Sequence, residues 1–231
     1  MSLQTRTFGY ANIQKIDVNC NIFNIRVVES ISDSIEISWS DTVMRSLEVT
    51  EKDGVLTVLD HAAVGIYGTL ALINLKKDAQ LLIKLPAAYA GKAIFQTKSE
   101  PVHISDLSSP ATVGISSSTG EILIENASFQ QLDIRGNVGK INCYSLDTTG
   151  SIVITSKSGP IVCHLLGTES DYSISCSTRN RRCNTNGNFG NGPKKVILNS
   201  DHGEVSYSFQ NGFDGGRPSN RYNRRDSFKE W

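Results

Sequence analysis

Four histidines, His61, His103, His164 and His202, are the side chains best suited to metal binding or proton transfer, and they share no ligand spacing. The Cys163-His164 dipeptide supplies two donors where zinc takes four converging ones. Cleavage of a glycan would need two acids close together, or an acid with a base. Glu121 and Glu125 come nearest to that, on one outward face of a strand, and read as a solvated face. The glycine-rich "NGNFGNG" at 186–192 has no Lys-Ser/Thr pair after it and opens no helix, so it is no phosphate cradle. It also lacks the Asp-bearing nonapeptide that holds calcium in β-rolls. Arg217, Arg221, Arg224, Arg225 and Lys229 alternate with Tyr222, Phe228 and Trp231, a pattern that can bind single-stranded nucleic acid by charge and stacking. The simpler reading is a polar tail whose aromatics fold over the end of the domain. No catalytic, cofactor-binding or metal residue is assigned, no cofactor is expected, and the protein is expected not to be an enzyme.

The elements that would have to position any such residues are repeats. "ISSSTGEILIENA" at 115–127 is echoed by "ITSKSGPIVCHLL" at 154–166. With the glycine of the small polar turn as marker, Gly120, Gly139 and Gly159 are separated by 19 and 20 residues. Glu100 takes the place one repeat earlier, Arg179 one repeat later, and Gly203 closes the series. Five places before the marker stand Phe95, Ile115, Ile134, Ile154, Ile174 and Leu198; seven before it stand Ala93, Val113, Leu132, Ile152, Tyr172 and Val196. Two places after it come Val102, Ile122, Ile141, Ile161, Arg181 and Val205. A sandwich has no reason to hold several apolar columns in step, whereas a solenoid requires it.

The expected fold is therefore all-β, a single-stranded parallel β-helix with coils of about 20 residues. Right-handed winding is the default, since the columns carry no hand of their own. The turn glycines are expected to supply backbone angles that other residues resist. Residues 1–86 read as an N-terminal β-strand capping region, with "KDG" at 52–54 a hairpin turn. Residues 87–211 read as the repeats and 212–231 as a polar basic tail, all within one continuous domain. "NTNGNFGNG" reads as a loop on the wall. Glu121 is expected to face Lys140 of the next coil.

Four places after the marker come Ile104, Ile124, Cys143, Cys163, Cys183 and Tyr207, which stacks three cysteines in one inward column. Side-by-side Cβ vectors on parallel strands disfavour a disulfide, and zinc would want a fourth ligand. The three read as small buried hydrophobes, reduced and metal-free.

The "I-x-x-x-[ST]-G-x-[IV]-x-[IV]" unit at 115–124, with similar units at 134–143 and 154–163, resembles a bacterial "putative adhesin" family of β-strand-repeat proteins, a domain of unknown function. "IQKIDV", "LIKLP" and the closing "LNSDHGEVSY" match the family's layout, so the likeness spans nearly the whole chain. It implies a non-enzymatic, adhesin-like scaffold or binding module and brings no site residues with it. The rival readings are a carbohydrate-active β-helix enzyme and a nucleic-acid binder acting through the tail.

Composition narrows the partners. With 23 basic and 23 acidic residues, bulk charge gives no drive toward nucleic acid or an anionic membrane, and no specific nucleic-acid binding is expected. The partner expected is a protein or glycan, or a second copy of the chain. No run reaches the length of a transmembrane helix. "MSLQTRTFGYANIQKIDV" has no apolar leader, so the expectation is a cytoplasmic protein, or a cell-surface one if a leader was trimmed. Five cysteines, an odd number, suggest no disulfide framework and a reducing compartment.

Overall fold

The computed structural model describes residues 2–41, 45–62, 79–179 and 187–210. These form sixteen strands and no α-helix. They are β1 (Ser2–Gly9), β2 (Lys15–Asn19), β3 (Asn24–Ser30), β4 (Ser34–Asp41), β5 (Arg45–Lys52), β6 (Val55–Ala62), β7 (Gln80–Pro86) and β8 (Lys92–Thr97). There follow β9 (Val102–Ser117), β10 (Ile122–Gly136), β11 (Ile141–Ser156), β12 (Ile161–Leu166), β13 (Tyr172–Thr178), β14 (Gly187–Phe189), β15 (Lys194–Ser200) and β16 (Val205–Gln210). Among the described residues no helix is long and apolar enough to cross a membrane.

The strands make two walls that share β9, β10 and β11. The front wall, which follows the marker corner, runs β1-β4-β7-β3-β9-β10-β11-β12-β16. The back wall, which precedes it, runs β5-β6-β2-β8-β9-β10-β11-β15-β13-β14. Each long strand gives its first half to the front wall and its second half to the back wall. They bend midway at Asp106, Asn126 and Ser145, whose φ values of 51°, 49° and 53° lie in the left-handed region that Asp and Asn tolerate best. The Asn126 Nδ2 amide donates to Asp106 Oδ1 at 3.0 Å, linking two of these bends.

The apolar columns are the core. Val102, Ile122, Ile141, Ile161 and Val205 are successive ladder partners, all buried, and Ile25 extends the row beyond Val102. On the back wall Ala93, Val113, Leu132, Ile152 and Val196 do the same, with Ile16 beyond Ala93. The repeat thus reaches into the N-terminal region, where β2 and β3 stack in parallel on β8 and β9. The "KDG" turn joins β5 to β6 as a hairpin, with Asp53 and Gly54 both at positive φ.

The marker glycines have another role than the one expected. None of Gly120, Gly139, Gly159 and Gly203 has a positive φ. A Cβ on Gly120 would overlap the carbonyl oxygen of Glu100, and one on Gly139 that of Gly120. Gly159 sits in the same way on Gly139, and Gly203 on Gly159. Glycine is needed because each corner rests on the carbonyl of the corner before it.

Gly203 stacks directly on Gly159, so the repeat marked by Arg179 does not lie between them. β15 pairs with both β11 and β13, which places β13 outside β15. The register also differs by two residues: Ile174 faces Val196 and Cys176 faces Leu198, where Tyr172 and Ile174 were expected. Tyr172, Ile174 and Cys176 all point inward, so either register buries the same face. Part of "NTNGNFGNG" is not loop: Gly187–Phe189 pairs antiparallel with β13 as the last strand of the back wall. Arg181, Arg182 and the tail assigned to 212–231 lie outside the described residues.

Gly139→Ala and Gly159→Ala should each lower stability by about 3 kcal/mol or more, because the clash is with backbone. Gly114→Ala, whose Cβ would meet nothing nearer than Ile94 at 3.9 Å, should change it by less than about 1 kcal/mol. Urea unfolding followed by circular dichroism distinguishes the two classes. Equal effects would remove the stacked corner as the constraint.

Candidate functional site

The front wall's outward face carries most of the titratable groups considered above. His103 on β9 and Glu125 on β10 point the same way from adjacent strands, with Nε2 and Oε2 2.9 Å apart. His103 is largely buried and Glu125 half-exposed. Arg26, opposite His103 on β3, has a buried Nε with no hydrogen-bond partner among the described residues. One coil on, Tyr144 stacks on His164 with ring centroids 5.3 Å apart, and His164 Nδ1 lies 2.5 Å from Ser208 Oγ. His164 points outward as its place after Cys163 predicts.

The remaining candidates are dispersed. His61 meets Glu48 at 3.0 Å on the exposed β5–β6 hairpin, and His202 stands in the last glycine corner. Glu121 stands opposite Lys140, one place before the Ile122–Ile141 pair, as expected, but its carboxylate accepts from the Asn142 amide at 2.9 Å instead of pairing with the Lys140 ammonium. Among the described residues no group of three His, Cys, Asp or Glu side chains is disposed to hold a metal ion.

Cys143 and Cys163 are adjacent on β11 and β12, both fully buried and free. The Cys163 thiol beside it, and then burial, hold Cys143 well above the ordinary thiol range. The column does not continue to a third cysteine: Cys163 faces Tyr207, because β16 and not the expected coil lies next to β12. Cys183 lies outside the described residues. Cys176 is disulfide-bonded, against the expectation that an odd cysteine count brings no disulfide framework. Cys20 is free and buried, its thiol raised by burial and then by the Asp60 carboxylate.

A polar knot that sequence reasoning missed secures the strand order. Tyr172 Oη lies 3.0 Å from Asp147 Oδ1 and 2.5 Å from the Leu166 carbonyl oxygen, which share its single hydrogen. Lys194 Nζ reaches the same Asp147 oxygen at 2.7 Å and lies 5.2 Å from the Tyr172 ring centroid. Burial, then Asp147, push the Tyr172 hydroxyl far up, so it stays a neutral donor. The knot ties β11, β13 and β15 together, and 22 and 47 residues of separation from Lys194 hid it from local pattern reading.

A groove of about 620 Å³ lies over the ends of β10, β11, β15 and β13. Thr155, Asn199 and Ser177 form its outer row, and Lys157, Asp201 and Arg179 its rim at the corner. Arg179 Nε and Asp201 Oδ1 are 3.5 Å apart and both largely exposed, so their attraction is screened.

Native protein should react slowly with a thiol reagent at Cys20, Cys143 and Cys163, and rapidly once urea unfolds it. Fast native labelling of Cys143 or Cys163, read by mass spectrometry, would contradict their placement in the core. His164 gives a pH expectation. Burial lowers its proton affinity in the fold, so the unfolded chain takes up the proton first as pH falls below about 6.5. Its contribution therefore weakens the fold below that pH and leaves it unchanged above. His164→Gln should lose less stability than the parent between about pH 7 and about pH 5.5, measured by urea midpoints. An identical loss in both would exclude this histidine.

Comparison with known proteins gives structural neighbours and a family. A crystal structure of a "putative cell adhesion protein" from Clostridium sporogenes ATCC 15579 has a TM-score of 0.49 at 14% identity, over 91% of this chain and 99% of that one. A "putative adhesin" from Bacteroides fragilis NCTC 9343 has a TM-score of 0.44 at 17% identity, over 90% of this chain and 97% of that one. No curated protein matches. The family model described as Toastrack DUF4097 matches residues 13–171, from the entry to β2 to the turn before β13. Since that match takes in the stacked corners Gly120, Gly139 and Gly159 and most of the chain, the protein belongs to the Toastrack DUF4097 family, a domain family of unknown function.

Proposed function

We propose that the protein is a non-enzymatic, adhesin-like scaffold whose long walls bind a protein or glycan partner. In this reading the repeats wind as a single-stranded, right-handed parallel β-helix, with the β1–β7 region capping one end. Parallel pairing from β3 through β9, β10 and β11, shifted in register only between Phe129 and Gln131, supports that winding. Action at the cell surface is what the family resemblance implies.

One observation carries the binding reading over an enzymatic one. Four outward titratable groups of the front wall are engaged with a neighbour on an adjacent strand: Glu125 with His103, Glu36 with Lys84, Glu121 with Asn142 and His164 with Ser208. A general acid and base for glycan cleavage need to face one shared space where a glycosidic oxygen can sit. Glu125 and His103 instead face each other at hydrogen-bond distance. A flat wall with its charges cross-linked is suited to contact without turnover.

Purified protein should release no reducing ends from polygalacturonate, alginate or amylose. Turnover above the blank that disappears in Glu125→Gln or Glu121→Gln would replace the scaffold reading with an enzymatic one.

A further inference from the structure

We propose that the disulfide of Cys176 is a redox clasp on the last edge of the back wall, with Cys183 as its partner. The pairing follows by count. Of the five cysteines, Cys20, Cys143 and Cys163 are free and Cys176 is bonded, so Cys183, outside the described residues, is the one left. The bond is anchored in the fold at β13, where Cys176 is 2% exposed and faces Gly187 of β14 on one side and Leu198 of β15 on the other. β14 ends that wall and is three residues long. It pairs with β13 alone, through Ile174–Phe189, Ser175–Asn188 and Cys176–Gly187. Gly187 and Asn188 are exposed, and Gly187 and Gly190, at φ 138° and 69°, bound the strand. So short a ladder with so little buried side chain lies at the low end of local stability and depends on its anchors.

One anchor follows β14. Gly190 and Gly192 pack so closely on Tyr172 and Asp171 that a Cβ on either would overlap backbone, and the Gly192 N–H donates to the Tyr172 carbonyl at 3.0 Å. Phe189 adds a contact across the stack to Tyr207, with ring centroids 6.3 Å apart. The other end is held differently. Among the described residues only the Phe189 ring comes within 4 Å of a Cβ placed on Gly187. Cys183 stands four residues before Gly187, so the bond ties the chain entering β14 to the strand that β14 covers. Reduction releases that end. A dithiol reductant attacks one sulfur as its thiolate, breaking the S–S bond and forming a mixed disulfide. Its second thiolate then displaces that cysteine, so the reductant leaves as a disulfide and its two protons end on Cys176 and Cys183. Cys20, Cys143 and Cys163 are fully buried, which confines the exchange to one pair. With β14 lifted, the N–H and C=O groups along β13 form an open edge on which another strand can pair. The clasp is closed in an oxidising compartment and open in a reducing one.

The test starts from full-length protein folded with oxidised glutathione, alkylated in denaturant without reductant, and digested. Mass spectrometry should find the Cys176 and Cys183 peptides linked, and Cys20, Cys143 and Cys163 alkylated. Hydrogen exchange is then followed with and without dithiothreitol. Reduction should speed exchange at residues 187–189, and at the β13 amides facing them, by about tenfold or more, while β10 and β11 keep their rates. Cys183→Ser should exchange at the faster rate without reductant and should not respond to it. Should that variant fail to fold, reduction of the parent chain still decides. Cys176 found as a thiol or linked elsewhere would overturn the proposal. So would a bond that resists dithiothreitol in the folded protein, or β14 exchange indifferent to its reduction. Equal acceleration in β10 and β11 would also overturn it, because the bond would then hold the whole stack and not one edge.

Discussion

Each marker corner lies so close to the one before it that a carbonyl oxygen fills the space of the next residue's Cβ. This contact sets the coil-to-coil distance on which both walls depend. Ladder hydrogen bonds alone would hold neighbouring strands at about 4.8 Å, but they would not choose which residues align. The glycine corner does, because only glycine fits there and the neighbours on either side are then in step. Ile122 and Ile141 face each other, as do Ile134 and Ile154, because Gly120 and Gly139 are already stacked. Glu100 begins the column and is not glycine. Beyond it the corner at Asn21 and Ile22 is closed differently, its two N–H groups donating to Asp60 Oδ2 at 2.5 and 2.7 Å.

A stacked corner concentrates backbone polar groups away from water, and such groups must find partners. A row of hydroxyls at Thr97, Ser117, Ser200 and Thr178 meets that need with short side chains that add little bulk. The opposite end of the stack uses a larger device. Tyr172, Asp147 and Lys194 converge where β13 leaves the front-to-back path, and they hold β15 in the gap between β11 and β13. Aromatic contacts of Tyr172 with Phe209, and of Phe189 with Tyr207, cover the same end with apolar surface.

These constraints leave the outer surface free to vary, and the two walls differ there. The front wall presents cross-linked charges and stacked rings; the strand ends of the back wall present hydroxyls with a cationic rim. A rigid stack holds both at fixed spacing, so recognition would cost little conformational entropy in the protein. That is a property of binding surfaces, and it follows from the corner rather than from any single outward residue.

The chain's own pattern determined the all-β class, the spacing of the repeats, the inward columns at Val102–Ile122–Ile141–Ile161 and Ala93–Val113–Leu132–Ile152, and the burial of Cys143 and Cys163. Periodicity suffices for these because one apolar residue in two, repeated near every twentieth, has a single economical arrangement. It could not decide the order of the last strands. Tyr172, Ile174 and Cys176 are interchangeable as inward apolar residues, so a slip of two changes no face, and an inserted β15 preserves every column. That choice was made by contacts between residues far apart in sequence, above all Asp147 with Tyr172 and Lys194. The pairing of Cys176 was hidden for the same reason: five cysteines name no partners until folding buries Cys20, Cys143 and Cys163 apart from it.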